Sequence, residues 1–200
     1  MLYCGRMHPR IVLALVGLGL LAAACSSEKV LKRPEAGTLE LGKTTEAEIR
    51  SRFGEPRGVA TRLINDWPVK TLSYSYADSP VDVPTVPVRV MVCMFSGDVL
   101  VGYHYLSSFT ADSTDFDETR VGRIQRGQTT AKQLVELMGQ AGGEYIYPLA
   151  KIRGGRAYVY GYSRTESLPD GKLVTRTKTL VVNMNPAGVV TDVDLSLTGR

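Results

Sequence analysis

Residues 42–56 read GKTTEAEIRSRFGEP, and residues 127–141 read GQTTAKQLVELMGQA. Gly42, Thr44, Thr45 and Gly54 match Gly127, Thr129, Thr130 and Gly139 without a gap. The apolar pairs Ile49/Phe53 and Leu134/Met138 are each spaced i, i+4, which places them on one face of a helix. Thr45-x-x-Glu48 and Thr130-x-x-Gln133 are both capping boxes: the threonine oxygen accepts from a first-turn N–H, and the acid or amide reaches back to the cap. Gly54 and Gly139 stand where a helix ends in a left-handed residue, and Pro56 keeps the first helix from resuming. Each copy therefore predicts a helix of about two turns, too short to persist alone.

Each helix is followed by β-like sequence. Leu72 to Tyr76 alternates at period two, and Val88–Phe95 and Val99–Leu106 flank the turn Ser96-Gly97-Asp98. In the second half, Tyr158 to Tyr162 alternates, and Thr179–Asn185 and Val189–Leu197 flank Pro186-Ala187-Gly188. The expectation is an α+β fold of two tandem modules, each with a short helix packed on a three-stranded antiparallel sheet. The proline-rich run after Tyr76 and the stretch Arg164–Arg176 read as equivalent loops. The predicted boundaries are 38–106 for the first module, 107–120 for a linker and 121–200 for the second.

The N-terminus gives the address. Arg6 and Arg10 precede the apolar run IVLALVGLGLLAAA, residues 11–24. A bilayer-spanning helix needs about twenty apolar residues, so this run reads as a secretory signal, 1–24. Leu21-Ala22-Ala23-Ala24-Cys25 resembles the lipobox of bacterial lipoproteins, which implies lipid on Cys25 and cleavage before it. Ser26 resembles outer-membrane cargo. Residues 25–37 read as a polar tether. Removing residues 1–24 leaves 176 residues, and the formal charge of +4 falls by the two arginines lost. No Lys/Arg cluster marks a nucleic-acid footprint. Once Cys4 is removed and Cys25 lipidated, Cys93 is the single thiol, so no intramolecular disulfide is expected.

The repeated Gly-x-Thr helix ending in Gly, the aromatic-x-aromatic strands Tyr74–Tyr76 and Tyr160–Tyr162, and the hairpins resemble the BamE (SmpA/OmlA) family of outer-membrane lipoproteins. Two modules in tandem also resemble the β-lactamase inhibitory protein fold, whose sheets form a concave surface that grips another protein. Two departures stand out: the family usually has one module, and the second module lacks the Pro after its Gly139, having Gln140-Ala141. The resemblance implies an envelope lipoprotein that works by protein contact in outer-membrane assembly, with the β-barrel assembly machinery as partner. The alternative is an inhibitor or masking protein for a periplasmic or surface enzyme.

Catalytic chemistry finds little footing. His104 is the one histidine left after the signal. It could pair only with Cys93, which the simple hairpin register does not place opposite it. No Gly-x-Ser-x-Gly is present. Asp112, Asp115, Asp117 and Glu118 lack the spacing of a calcium loop. No cofactor, metal or small-molecule substrate is expected. Aligning the two hairpins puts Val90, Val92 and Met94 toward the core with Leu180, Val182 and Met184. Met91, Cys93 and Phe95 then fall on an open face. Phe95 and Met91, with the nearby tyrosines Tyr74, Tyr76, Tyr103 and Tyr105, are the expected partner contacts, since aromatic residues dominate binding hot spots.

Overall fold

A computed structural model describes residues 31–35, 37–78, 85–168 and 170–199. The signal segment and Cys25 lie outside the described residues. The two capping boxes form as the sequence dictates. Helix α1 (Glu46–Phe53) is capped by Thr45, and α2 (Ala131–Met138) by Thr130, with both reciprocal bonds present in each. Gly54 and Gly139 end them with φ of 82° and 80° but ψ of −155° and −170°. That is not the left-handed helical region but an extended positive-φ conformation open essentially to glycine alone.

The strands are β1 (Gly58–Ile64), β2 (Trp67–Ala77), β3 (Thr85–Val86), β4 (Val88–Ser96), β5 (Val99–Ser107), β6 (Gly143–Tyr145), β7 (Arg156–Ser167), β8 (Leu173–Met184) and β9 (Val190–Thr198). They do not form two separate three-stranded sheets. All belong to one curled antiparallel sheet in the order β1-β2-β4-β5-β6-β7-β8-β9, with β3 pairing onto β7. The described residues are 48% strand and 16% helix, so the fold is mainly β and the expected α+β pair of modules is corrected.

The physical reason lies in three residues. β6 inserts between β5 and β7, pairing Gly143 with both His104 and Val159, and Tyr145 with both Gly102 and Ala157. A Cβ on Gly143 would run into the Tyr103 carbonyl oxygen and sit 2.6 Å from His104 Cβ. Glycine there lets the two halves fuse into one sheet.

The two halves still repeat bond for bond at their helices. Gly42 N–H donates to Leu100 O at 2.8 Å and Gly127 N–H to Val190 O at 2.7 Å. Leu100 N–H returns to Thr44 O, and Val190 N–H to Thr129 O. Each helix is thus strapped to the last strand of its own hairpin. Two core clusters result on one face of the sheet. Ile49 is buried with Leu72, Tyr74, Met91, Cys93, Phe95, Leu100 and Tyr105. Leu134 is buried with Tyr160, Leu180, Val182, Met184 and Val190.

The segment expected to be a free tether is docked from Leu31 onward. Leu31 is buried in the first core, and Arg33 Nη2 donates to Ala141 O at 2.9 Å. The segment after β5 follows the same side of the sheet. Thr114 Oγ1 donates to Gly161 O, and the Phe116 ring meets Tyr160 with centroids 6.1 Å apart. The loop expected from Arg164 to Arg176 is mostly strand, because β7 and β8 stay paired to Ser167 and Leu173.

Candidate functional site: the open face of the sheet

Strand alternation and the pairing register divide the sheet into a helix face and an open face. On the first hairpin the assignment is the reverse of the sequence expectation. Met91, Cys93 and Phe95 are fully buried beneath α1, while Val90 and Val92 are half-buried on the other face. The cause is turn length. Ser96 pairs with Val99 around a two-residue turn, whereas Asn185 pairs back to Val189 around three residues. One extra turn residue shifts the alignment by one, and a one-residue shift exchanges the two faces of a strand. Met91, not Val90, is the counterpart of Leu180: they pair with Tyr74 and Tyr160 in turn.

All six residues expected to meet a partner therefore sit on the helix face. Phe95, Met91, Tyr74 and Tyr105 are buried. Tyr103 pairs beside Cys93 and packs at the edge of the first core. Tyr76 stacks on Phe109, with ring centroids 5.8 Å apart. Tyr105 donates to Asp112 Oδ2 at 2.7 Å, and Arg89 Nε meets the same oxygen at 3.0 Å. These side chains hold the loop 107–116 down.

The open face is different in character. No helix covers it among the described residues. Its central rows carry short or medium side chains: Thr71 and Ser73 on β2, Val90 and Val92 on β4, His104 and Leu106 on β5, Gly161 and Ser163 on β7, Thr179 and Val181 on β8. Most are half-buried rather than sealed.

One end of this face is crossed by residues 146–153, a feature the sequence analysis missed. Ile146 N–H donates to Val101 O, and Leu149 packs over Gly102, where a Cβ would meet it and the Tyr145 ring. Asn65 Nδ2 donates to Pro148 O at 2.9 Å, tying in the β1–β2 turn. Lys151 N–H donates to Asn183 Oδ1 at 3.1 Å, and its ammonium bridges Asp192 and Asp194. Asn183, on the open face between Val182 and Met184, is therefore buried under this strap. At the rim, Trp67 stands edge-on to Tyr147, and the Arg153 guanidinium lies 4.1 Å from the Tyr147 ring centre. The only advance signal was the Gly-Gly at 142–143 and Gly-Gly at 154–155, which bracket the strap.

His104 and Cys93 lie on opposite faces. His104 pairs with Val92 and Cys93 with Tyr103, so the thiol points under α1 and the imidazole onto the open face. Burial pushes the Cys93 thiol up to about 12 and the His104 imidazole down to about 4. His104 Nδ1 is 2.8 Å from the Tyr145 hydroxyl, itself pushed up to about 12 by burial. The pair is a neutral hydrogen bond that holds Tyr145 flat across Gly102.

The acids of the 112–118 stretch do not converge. Asp112 binds Arg89, Asp115 and Glu118 bind Lys178, and Asp117 caps Thr119. No group of three or more metal-ligating side chains occurs among the described residues.

No family model matches this chain, so the BamE resemblance is not reproduced by one. No curated protein matches it. A solved structure that does match is a proposed β-lactamase inhibitor protein from Streptococcus mutans. The likeness has a TM-score of 0.40 and 10% sequence identity over 76% of this chain and 82% of that one.

Proposed function

We propose that this protein is a non-catalytic envelope lipoprotein that acts by holding a protein partner against its open sheet face. One observation carries the reading: the helices, the N-terminal segment and the 107–124 loops all pack on the same face. The opposite face is left half-exposed beyond the strap, with Val90, Val92, Leu106 and Val181 among small hydroxyl residues. An antiparallel sheet can leave one face to water, but a wide face mixing apolar and hydroxyl groups is also what a polar-rimmed protein interface needs. The lipobox at Cys25 supplies the membrane, and an exported chain meets envelope proteins. We read it as an inhibitor or masking protein for an envelope enzyme, with a role in barrel assembly as the alternative.

Photo-crosslinking in the envelope tests this. A crosslinking amino acid at Ser73, Val92 or Thr179 is expected to trap a protein, and the same group at Lys132 on the exposed side of α2 is expected to trap none. Mass spectrometry of the adduct separates a hydrolase from a barrel-assembly component. Adducts from Lys132 with none from the open face would overturn the reading.

A further inference from the structure

The two edges of the sheet are built differently. β9 is blunted: its pairing to β8 is interrupted by a bulge at Asn183/Met184, and it carries Asp192 and Asp194. β1 has no such device. Its seven residues pair with β2 in unbroken register, it holds no proline, and its one charge is Arg62. Val59 is 55% exposed and Leu63 72%, and both lie on the same face of β1. No described strand pairs with the outer side of β1. A regular edge with unpaired backbone groups and exposed apolar side chains is a template for another strand.

We propose that β1 pairs with β1 of a second copy, antiparallel, about a twofold axis through Thr61. This register sets Val59 of each copy opposite Leu63 of the other. The two most exposed apolar side chains on the strand thus become cross-strand neighbours, twice. Arg62 falls opposite Ala60 rather than opposite its own symmetry mate, so no like charges face each other directly. Arg57 comes opposite Asn65 of the second copy, next to the carboxylate of Asp66 in the same turn.

An axis perpendicular to the sheet keeps each face on its own side. The two open faces join into one surface. Both N-terminal segments, docked through Leu31 on the helix face, leave on one side, as two chains tethered to a single membrane require. The interface is isologous and closed, as twofold dimers are. The strand pairing rests on β1; only the shared side of the two N-terminal segments draws on the lipoprotein reading above, and the pairing does not depend on the open-face partner.

Single cysteines in the full chain, exported in a bacterial envelope and mildly oxidised, test the register. Paired residues in an antiparallel ladder have Cα atoms about 4.5–5.5 Å apart, within disulfide range. Thr61→Cys alone is expected to give a reducible dimer. Val59→Cys alone and Leu63→Cys alone are expected to stay monomeric, and co-expression of those two to restore the dimer. Val59→Cys crosslinking alone as well as Thr61→Cys would overturn the register. Sedimentation of the unsubstituted chain in detergent needs no variant to fold: a dimer is expected, converted to monomer by Leu63→Lys, and a monomeric parent overturns the proposal.

Discussion

The hydroxyl of Tyr160 donates to the carbonyl oxygen of Gly139 at 3.0 Å, tying the end of α2 to the sheet beneath it. Tyr74 occupies the equivalent place under α1, with its ring 5.6 Å from Phe53, yet its buried hydroxyl has no partner among the described residues. A buried hydrogen bond contributes about 0.5–1.5 kcal/mol, while an unpartnered buried hydroxyl costs free energy. Tyr160→Phe is therefore expected to destabilise the protein by about 1 kcal/mol, and Tyr74→Phe to leave it unchanged or more stable. Urea denaturation of both variants checks the asymmetry; equal losses would show that Tyr74 has found a partner.

Asp112 joins the loop after β5 to the sheet. Burial disfavours its charge, but hydrogen bonds from Arg89, Tyr105 and Ser107 overcome that and hold its carboxyl below the ordinary value. A carboxyl depressed in the folded state stabilises above its unfolded pKa of about 4 and loses that contribution as pH falls through the folded value. The parent is thus expected to lose stability steeply below about pH 4, and Asp112→Asn to show a shallower acid limb. At pH 7 the variant should lose about 1.5–3 kcal/mol, the range for a hydrogen-bonded charge. Thermal melts across pH 2.5–7 measure both.

How much of this fold is legible in the sequence depends on range. The capping boxes and the glycines after each helix are local signals, and the helices fall where those residues put them. Strands β2, β4, β5 and β9 and the inner parts of β7 and β8 follow period-two alternation that the chain displays openly; β3, two residues in a run read as a loop, and β6 do not. Gly143-Glu144-Tyr145 is too short to carry a period, and its role is to be narrow enough to lie between β5 and β7. Missing it turns one sheet into two. The face assignment failed for an equally small reason, one residue in a turn. β1, GVATRLI, hides because its outward face is apolar and exposed where a half-buried strand would alternate. The strap over Asn183 is a long-range contact with no pattern of its own.

If β6 is what fuses the halves, its glycine is the sensitive point. Gly143→Ala would press a methyl group onto Tyr103 backbone, which has nowhere to move. Overpacking of this kind costs about 1–3 kcal/mol and more where backbone is the obstacle. Gly102→Ala meets the tip of Leu149 and the edge of the Tyr145 ring rather than backbone, so a smaller loss is expected, with the strap loosened first. Hydrogen exchange at Ile146 and Lys151 separates the two: Gly102→Ala should speed exchange there while leaving β8 protected, and Gly143→Ala should lower protection throughout.

The anchor is tested independently of the fold. Cys25→Ser removes the thiol that the lipobox presents, and several acyl chains are needed for stable anchoring. The variant is expected to appear in the soluble periplasmic fraction or as uncleaved precursor, with its folded domain unaltered. Mass spectrometry of the parent's N-terminus should show an acylated Cys25; a free thiol there would remove the membrane from the proposed function.

The reversal of faces on β4 gives the sharpest test of where a partner binds. Phe95 is fully buried under α1 beside Ile49 and Leu72, so Phe95→Ala is a core truncation and should cost about 3–5 kcal/mol. Val92, three residues earlier on the same strand but on its open face, is half-buried, with His104 paired beside it. Val92→Thr keeps the branched shape but exchanges a methyl for a hydroxyl; at a half-buried site that hydroxyl stays within reach of water, so the loss should stay near the roughly 1 kcal/mol of an average substitution. Thr179→Arg, on the same face across the sheet, adds bulk where only solvent or a partner stands. The open-face pair is expected to keep the parent melting temperature within a few degrees and to lose the adduct trapped from Ser73. Phe95→Ala is expected to lower stability first and to lose the adduct only at temperatures where the domain unfolds. Retention of the adduct in the Val92→Thr/Thr179→Arg double variant would place the partner elsewhere than the open face.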